Sequence, residues 1–347
     1  MTRHPAQNPA LDIDALADWM SRSGIEFSGA LSARRVGKGH SNLTYRITDE
    51  AGGSWIARRP PLGHLLQSAH DVVREARIMA ALGPTDVPVP AILGVSDPGP
   101  VAAVPVVLIQ DVAGLVIDEI VVAEQLPVDI RHAVGINAAT TLARIHGVDI
   151  DAAGLGDLAS RAPYAERQLR RWSRQWEASR TRDLEALDRL TAVLQSAVPH
   201  QERVCLVHGD FHLRNIIIEP TSGAVAAALD WELSTLGDPL ADLGSTLAYW
   251  PERGEETHAL FAGSAVEGFP RRAELVGAYC QASGADAAAI GFWHVLGIWK
   301  VAIIAEGVLR RVLDQPENAA QGELVTPGQV SGLIEAAWGF AEEYRLM

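Results

Sequence analysis

The chain has 347 residues, 48% of them hydrophobic, and a formal charge of −14 at neutral pH. That length predicts two domains or lobes with enough apolar material for a core, and the acidic balance disfavours nucleic-acid binding. No run of about eighteen consecutive apolar residues is present, so no membrane span is expected.

Residues 1–9 are polar and broken by Pro5 and Pro9, which does not read as a signal peptide, and a cytoplasmic location is expected. An amphipathic helix follows, with Asp12 as its cap, Ile13, Leu16, Trp19 and Met20 on one face, and Gly24 at its end. Residues 33–47 contain two strand-like segments around a turn holding Gly37, Gly39 and Ser41. Glycines there let backbone N–H groups approach a phosphate, although ordinary hairpin turns use the same residues. A third strand, 55–61, carries Arg58 and ends on Pro60 and Pro61. A helix opened by Ser68 or His70 and closing near Gly83 then places Glu75 in its second turn. Arg58 and Glu75 can pair, either to aim the cation at phosphates or as an ordinary surface salt bridge.

Strands at 91–95 and 104–109 lead into 110–114, which reads as a hinge. The predicted organisation is an N-terminal lobe over 1–110 and a C-terminal lobe over 111–347. Beyond the hinge the period changes to that of helices, at 126–146, 165–180 and 184–198. Seven arginines crowd 161–182 against Glu166 and Glu177. At ~100° per residue Ala165, Leu169, Trp172 and Trp176 share one helical face, with Arg167, Arg170, Arg171 and Arg174 opposite. Such a face is either simply solvated or a surface for an anion. Cys205 and Cys280 lie far apart in apolar surroundings and suit buried thiols better than a disulfide framework or a zinc site.

The most informative run is Leu206-Val207-His208-Gly209-Asp210-Phe211-His212-Leu213-Arg214-Asn215-Ile216-Ile217-Ile218. Two apolar segments bracket a polar loop, so Asp210 and Asn215 sit on a short, stiffened connection. The turn at 219–223 reverses the chain toward a second strand ending on Asp230. A base, an amide and an acid are the set that phosphoryl transfer needs, to orient the attacking hydroxyl and to hold magnesium against phosphates. Helices at 239–249, 272–282, 287–313 and 329–344 complete the chain. The predicted fold class is α+β: a small antiparallel-sheet N-terminal lobe and a larger, mainly helical C-terminal one.

With these residues on the page, the chain resembles the aminoglycoside phosphotransferase, or choline-kinase-like, branch of the bilobal protein-kinase-like fold. The likeness covers nearly the whole chain. It rests on His208-Gly209-Asp210 with Asn215, then Leu229-Asp230-Trp231-Glu232, then Gly237-Asp238-Pro239-Leu240-Ala241-Asp242-Leu243. It is nearest to the kinase-like domains fused to acyl-CoA dehydrogenases, through Arg58-Arg59-Pro60-Pro61, Ser68-Ala69-His70 and Arg167-Gln168-Leu169-Arg170-Arg171-Trp172. The resemblance implies an ATP-dependent kinase for a small-molecule hydroxyl. It makes Asp210 the catalytic base, Asn215 and Asp230 the Mg2+ ligands, and His208 and Asp242 supports of the loop. It assigns Gly37, Gly39 and Ser41 to the phosphate-covering turn, Arg58 and Glu75 to the phosphate-positioning pair, and Gln110 and Val112 to the adenine, with Ile109 behind the ring. Arg58 departs from the lysine usual at its position.

For the acceptor, Arg170, Arg171 and Arg174 favour an anion such as a hydroxyacyl-CoA, with an aminoglycoside as the alternative. Two further readings stay open at this level: a metal-dependent hydrolase built on His208, Asp210, His212 and Asp230, and a non-catalytic nucleotide-binding pseudokinase. His146 and His294 are expected to be satisfied core histidines.

Overall fold

The computed structural model describes residues 11–36, 42–62, 71–255, 263–314 and 325–347. They form two compact units. The first runs to Ala113 and also takes in Leu229–Glu232, and the second holds the rest from Gly114 onward. The turn with Gly37, Gly39 and Ser41 lies outside the described residues, as do Ser68 and His70.

In the first unit, α1 (Ile13–Arg22) is capped as expected, with Asp12 Oδ1 accepting the Ala15 N–H at 3.0 Å. The strands β1 (Ser32–Val36), β2 (Leu43–Thr48), β3 (Ser54–Arg59), β4 (Ile92–Ser96) and β5 (Val106–Gln110) make an antiparallel sheet in the order β1-β2-β3-β5-β4. Between β3 and β4 runs α2 (Val72–Leu82). Its cap is Asp71, which accepts the Arg74 N–H at 2.9 Å, rather than Ser68 or His70.

The period of two along the strands sorts side chains between two apolar clusters. Val106 and Leu108 of β5 pack with Leu16 and Met20 of α1, whereas Val107 and Ile109 pack with Val72 and Ala76 of α2. The same alternation on β3 sends Ala57 toward α1 and Ile56 toward α2. Arg58 shares the face of Ile56, and this brings its charge to the α2 side of the sheet.

The second unit is mainly helical. It contains α3 (Ile120–Glu124), α4 (Val128–Gly147), α5 (Tyr164–Ser179), α6 (Glu185–Ser196), α7 (Pro239–Ala248), α8 (Arg272–Ser283), α9 (Ile290–Asp314) and α10 (Pro327–Glu343). The predicted helices are all present, with ends displaced by at most three residues, whereas α3 is too short for its period to be read. Four short strands accompany them. β7 (Ile216–Ile218) and β8 (Val225–Ala228) form the expected hairpin, while β6 (Cys205–Val207) pairs with β9 (Thr235–Gly237) instead.

By length and composition α9 could cross a bilayer, but 83% of its most apolar stretch is buried inside the protein. Its apolarity is therefore core packing. Gly244 of α7 and Gly297 of α9 let the two backbones touch, since a Cβ on Gly297 would stand 2.8 Å from the Gly244 carbonyl oxygen. The buried Glu306 ties α9 to the connection after α5, accepting from Thr181 N (2.8 Å), Thr181 Oγ1 (2.6 Å) and Arg182 Nη1 (3.2 Å).

Candidate active site

The polar loop after β6 is held by a buried post. Asp242, in the first turn of α7 and 2% exposed, accepts the backbone N–H groups of both His208 and Gly209, the latter at 2.7 Å. His146 of α4 stands 3.2 Å from the same carboxylate through Nε2, and its Nδ1 meets Tyr279 Oη at 2.8 Å. Burial works to raise the Asp242 pKa, but His146, His208 and the Gly209 N–H together hold it below the ordinary carboxylate value. His208 and Asp242 thus support the loop, and His146 is a satisfied core residue. Gly209 has φ +85°, and a Cβ there would stand 2.6 Å from the Leu233 carbonyl oxygen, so the sharp turn before Asp210 needs glycine.

From this post Asp210 projects into a set of donors. Asn215 Nδ2 donates to its backbone oxygen (2.9 Å) and to Oδ2 (3.1 Å). His212 Nε2 lies 3.3 Å from Oδ2, and buried Tyr249 hydrogen-bonds the same side chain. Lys300 of α9 donates to the Gly209 carbonyl at 3.1 Å. Burial alone would raise the Asp210 pKa, yet His212, Lys300 and His208 carry it below the usual carboxylate range. The Asn215 amide nitrogen is spent on these bonds, and Oδ1 takes part in neither of them.

His212, Arg214 and Tyr249 line a small recess closed on its other side by Ile117 and Asp118. Lys300 and Tyr249 escaped sequence reasoning because neither lies in the loop motif. Long packing contacts of α9 and α7 deliver them.

The first unit assembles the predicted ion pair. Arg58 Nη1 lies 3.2 Å from Glu75 Oε2, and Nη2 lies 3.2 Å from Asp230 Oδ1. Asn42 Nδ2 donates to Glu75 Oε1 at 2.8 Å. Glu75 is only 2% exposed, so this is no ordinary surface salt bridge. Asp230 has φ +64°, a left-handed conformation uncommon outside glycine and typical of functional turns. It sits two residues beyond the end of β8 rather than on the strand.

Glu75, Asp230 and Glu232 each bring a carboxylate oxygen within 4.8 Å of the others. Burial pushes the Glu75 carboxyl up to about 7 against the pull of Arg58, and Asp230 and Glu232 push the same way. Burial works against the Arg58 charge, but these acids hold its pKa above the ordinary value. Three carboxylates around one guanidinium leave the cluster rich in negative charge. An oxygen-only donor set of that kind fits a hard divalent cation such as magnesium.

Just after β5, Asp111 accepts from Arg46 (3.1 Å) and Ser54 Oγ (2.6 Å). Gln110 spends its N–H on the Ala91 carbonyl (2.9 Å) and its side-chain oxygen on the Ala91 N–H (3.3 Å). Val112 lies two residues beyond the end of β5, and Ile109 faces α2. On α5, Arg170, Arg171 and Arg174 are exposed as predicted. Arg167 is not a free member of that face: it donates to the Leu236 carbonyl at 2.6 Å and lies over Tyr164. Trp172 is half-buried, with Arg171 and Lys300 both against its ring.

Residues 32–283 match the model of the phosphotransferase enzyme family. The chain belongs to that family. Acyl-CoA dehydrogenase family member 10 of Mus musculus is 33% identical over 346 residues, which are 98% of this chain and 32% of that protein. The chain thus spans about a third of the length of this relative. A solved Ralstonia eutropha structure, described as a candidate aminoglycoside phosphotransferase, is 28% identical with a TM-score of 0.78, covering 96% of this chain and 99% of that one. A thermostable aminoglycoside phosphotransferase in a ternary complex with AMP-PNP and hygromycin B shares the fold at 13% identity and a TM-score of 0.60, covering 94% and 99% of the two chains. This member of the phosphotransferase family has the protein-kinase-like α+β fold.

Proposed function

We propose that the protein transfers the γ-phosphate of ATP, with Mg2+, to the hydroxyl of an anionic small molecule such as a hydroxyacyl-CoA. The observation that carries this reading is Asp210, part-buried, ionised and fixed through its carboxylate by Asn215, His212 and Tyr249. A carboxylate so held orients a hydroxyl and takes its proton late, as suits a loose phosphoryl-transfer transition state. Magnesium would supply charge neutralisation at the phosphates. Asp230, Glu75 and Glu232, all in the first unit, are the carboxylates whose oxygens would serve it. Arg58 would hold phosphate oxygens with its fork.

The hydrolase reading is disfavoured, because His208 Nδ1 accepts the Asp210 N–H at 3.3 Å in a fully buried setting. Moreover, the acidic cluster described above contains no histidine. For the acceptor, three exposed arginines on α5 in a protein of charge −14 support an anion, as does the likeness to an acyl-CoA dehydrogenase family member. An aminoglycoside, a polycation, would meet repulsion there.

A screen of ATP consumption with aminoglycosides, choline-like amines, macrolides, sugars and hydroxyacyl-CoA thioesters tests the reading. Arg170→Glu with Arg171→Glu should raise the acceptor KM about tenfold for an anion. Turnover of an aminoglycoside alone, unchanged by that reversal, would restore the antibiotic-kinase reading. Separately, Asp230→Ala should weaken magnesium-ATP binding by about tenfold or more and adenosine binding by much less, because only the phosphate end depends on the cation. Calorimetric titration with both ligands checks it, and equal losses would contradict the metal role.

A further inference from the structure

The indole of Trp172 holds two cations that the loop motif does not contain. Arg171 Cζ lies 5.5 Å and Lys300 Nζ 5.4 Å from its ring centroid, so the two charges are no more than about 11 Å apart. Arg171 is exposed on α5, whereas Lys300 reaches in from α9, one turn beyond the Gly297 crossing. Its ammonium donates to the carbonyl of Gly209, the residue before Asp210. An ammonium carries three donors, and among the described residues no carboxylate comes within ion-pair range of Lys300. A strut for one carbonyl needs only a neutral donor. Asp210 and Asp242 favour the charged form from beyond pairing distance, so a cation stands at the edge of the loop with donors left to offer an anion.

Resting on the phosphotransferase reading above, we propose that Lys300, Trp172 and Arg171 form an anion-holding subsite for the acceptor alcohol. Lys300 takes the acidic group nearest the reacting hydroxyl, Trp172 covers the apolar chain, and Arg171 receives a second, outer anionic group. The class of ligand is an alcohol bearing a carboxylate or thioester-linked phosphates. Lys300 sits beside the reacting end, so it discriminates among acceptors rather than among nucleotides.

Calorimetry on the full chain with magnesium-AMP-PNP present tests this with three probes: hydroxybutyrate, hydroxybutyryl-CoA and the uncharged hydroxybutyryl-pantetheine. Lys300→Met should weaken the tighter-binding anionic probe tenfold or more. It should leave the pantetheine thioester and the nucleotide within about twofold, and Lys300→Arg should recover most of the loss. Should the methionine variant fail to fold, Lys300→Gln, which keeps a donor for Gly209, gives the same comparison. Preference for hydroxybutyrate would assign Lys300 a carboxylate, and preference for the CoA thioester would assign the subsite phosphates. Equal weakening of charged and uncharged probes would reduce Lys300 to a loop support and overturn the proposal, as would a parent protein that binds neither anion better than the pantetheine thioester. Binding is read without turnover, so anion binding with no phosphate transfer would sink the kinase reading and leave the subsite standing.

Discussion

Replacing Asp210 by Asn is expected to lower turnover by a factor of about 10² to 10⁴ while nucleotide affinity stays near that of the parent. The amide is nearly isosteric and keeps an oxygen for Asn215 Nδ2, so the loop should hold its shape. What it loses is the negative oxygen that orients the acceptor hydroxyl and takes its proton. The low pKa of Asp210 does not argue against this role. A base held below the usual carboxylate range by His212, Lys300 and His208 is ionised at neutral pH. In a loose transition state the hydroxyl proton leaves only as the new P–O bond forms, so positioning contributes more than basicity. Single-turnover measurement of phosphate transfer, alongside nucleotide titration of the same preparation, checks it. A variant that transfers phosphate at the parent rate would remove Asp210 from the mechanism.

The second large effect is structural. Asp242→Ala should cost about 3–5 kcal/mol of stability, the range for breaking a buried charged network by removing one partner. Two backbone N–H groups and the His146 ring would lose their acceptor in a fully buried site. Asp242→Asn keeps one acceptor oxygen and should cost clearly less. The pH dependence has a definite sign. The folded pKa lies below the ordinary value of 3.8, so the stabilisation is full well above that value and is lost as pH falls through the folded pKa. The gap between parent and alanine variant should therefore be constant near neutrality and narrow in strong acid. Urea unfolding of both proteins across that range measures it. An alanine variant that unfolds at the parent urea concentration would show that Asp242 is not what holds the loop.

Both effects also separate two kinds of residue around Asp210. Asn215 and His212 come from the same loop and share its motif. Asp242 comes from α7, Tyr249 from its C-terminal cap and Lys300 from α9, and the backbones of α7 and α9 meet at Gly244 and Gly297. Any bulkier residue at either glycine would push the helices apart and should disturb the loop without touching it.

The sequence alone determined the order of the elements and the chemistry of the loop. Amphipathic periods marked α1, α2 and the long helices, because each buries one stripe. The spacing of Asp210, Asn215 and Asp230 marked the candidate catalytic hairpin, because a short connection leaves little freedom in where its side chains go. Arg58 and Glu75 were legible as a pair for a similar reason, one charge on a strand and one on the helix that follows it. Tertiary structure decided what lies far apart along the chain. It made Asp71 the cap of α2, took Arg167 out of the basic face by giving it the Leu236 carbonyl, and drew Glu232 into the acidic cluster. It also set Lys300 of α9 on the carbonyl of Gly209, 91 positions away. Periodicity reports which face of a helix is buried, but the partner that a buried polar group meets depends on how helices cross, and that is fixed only when the core packs.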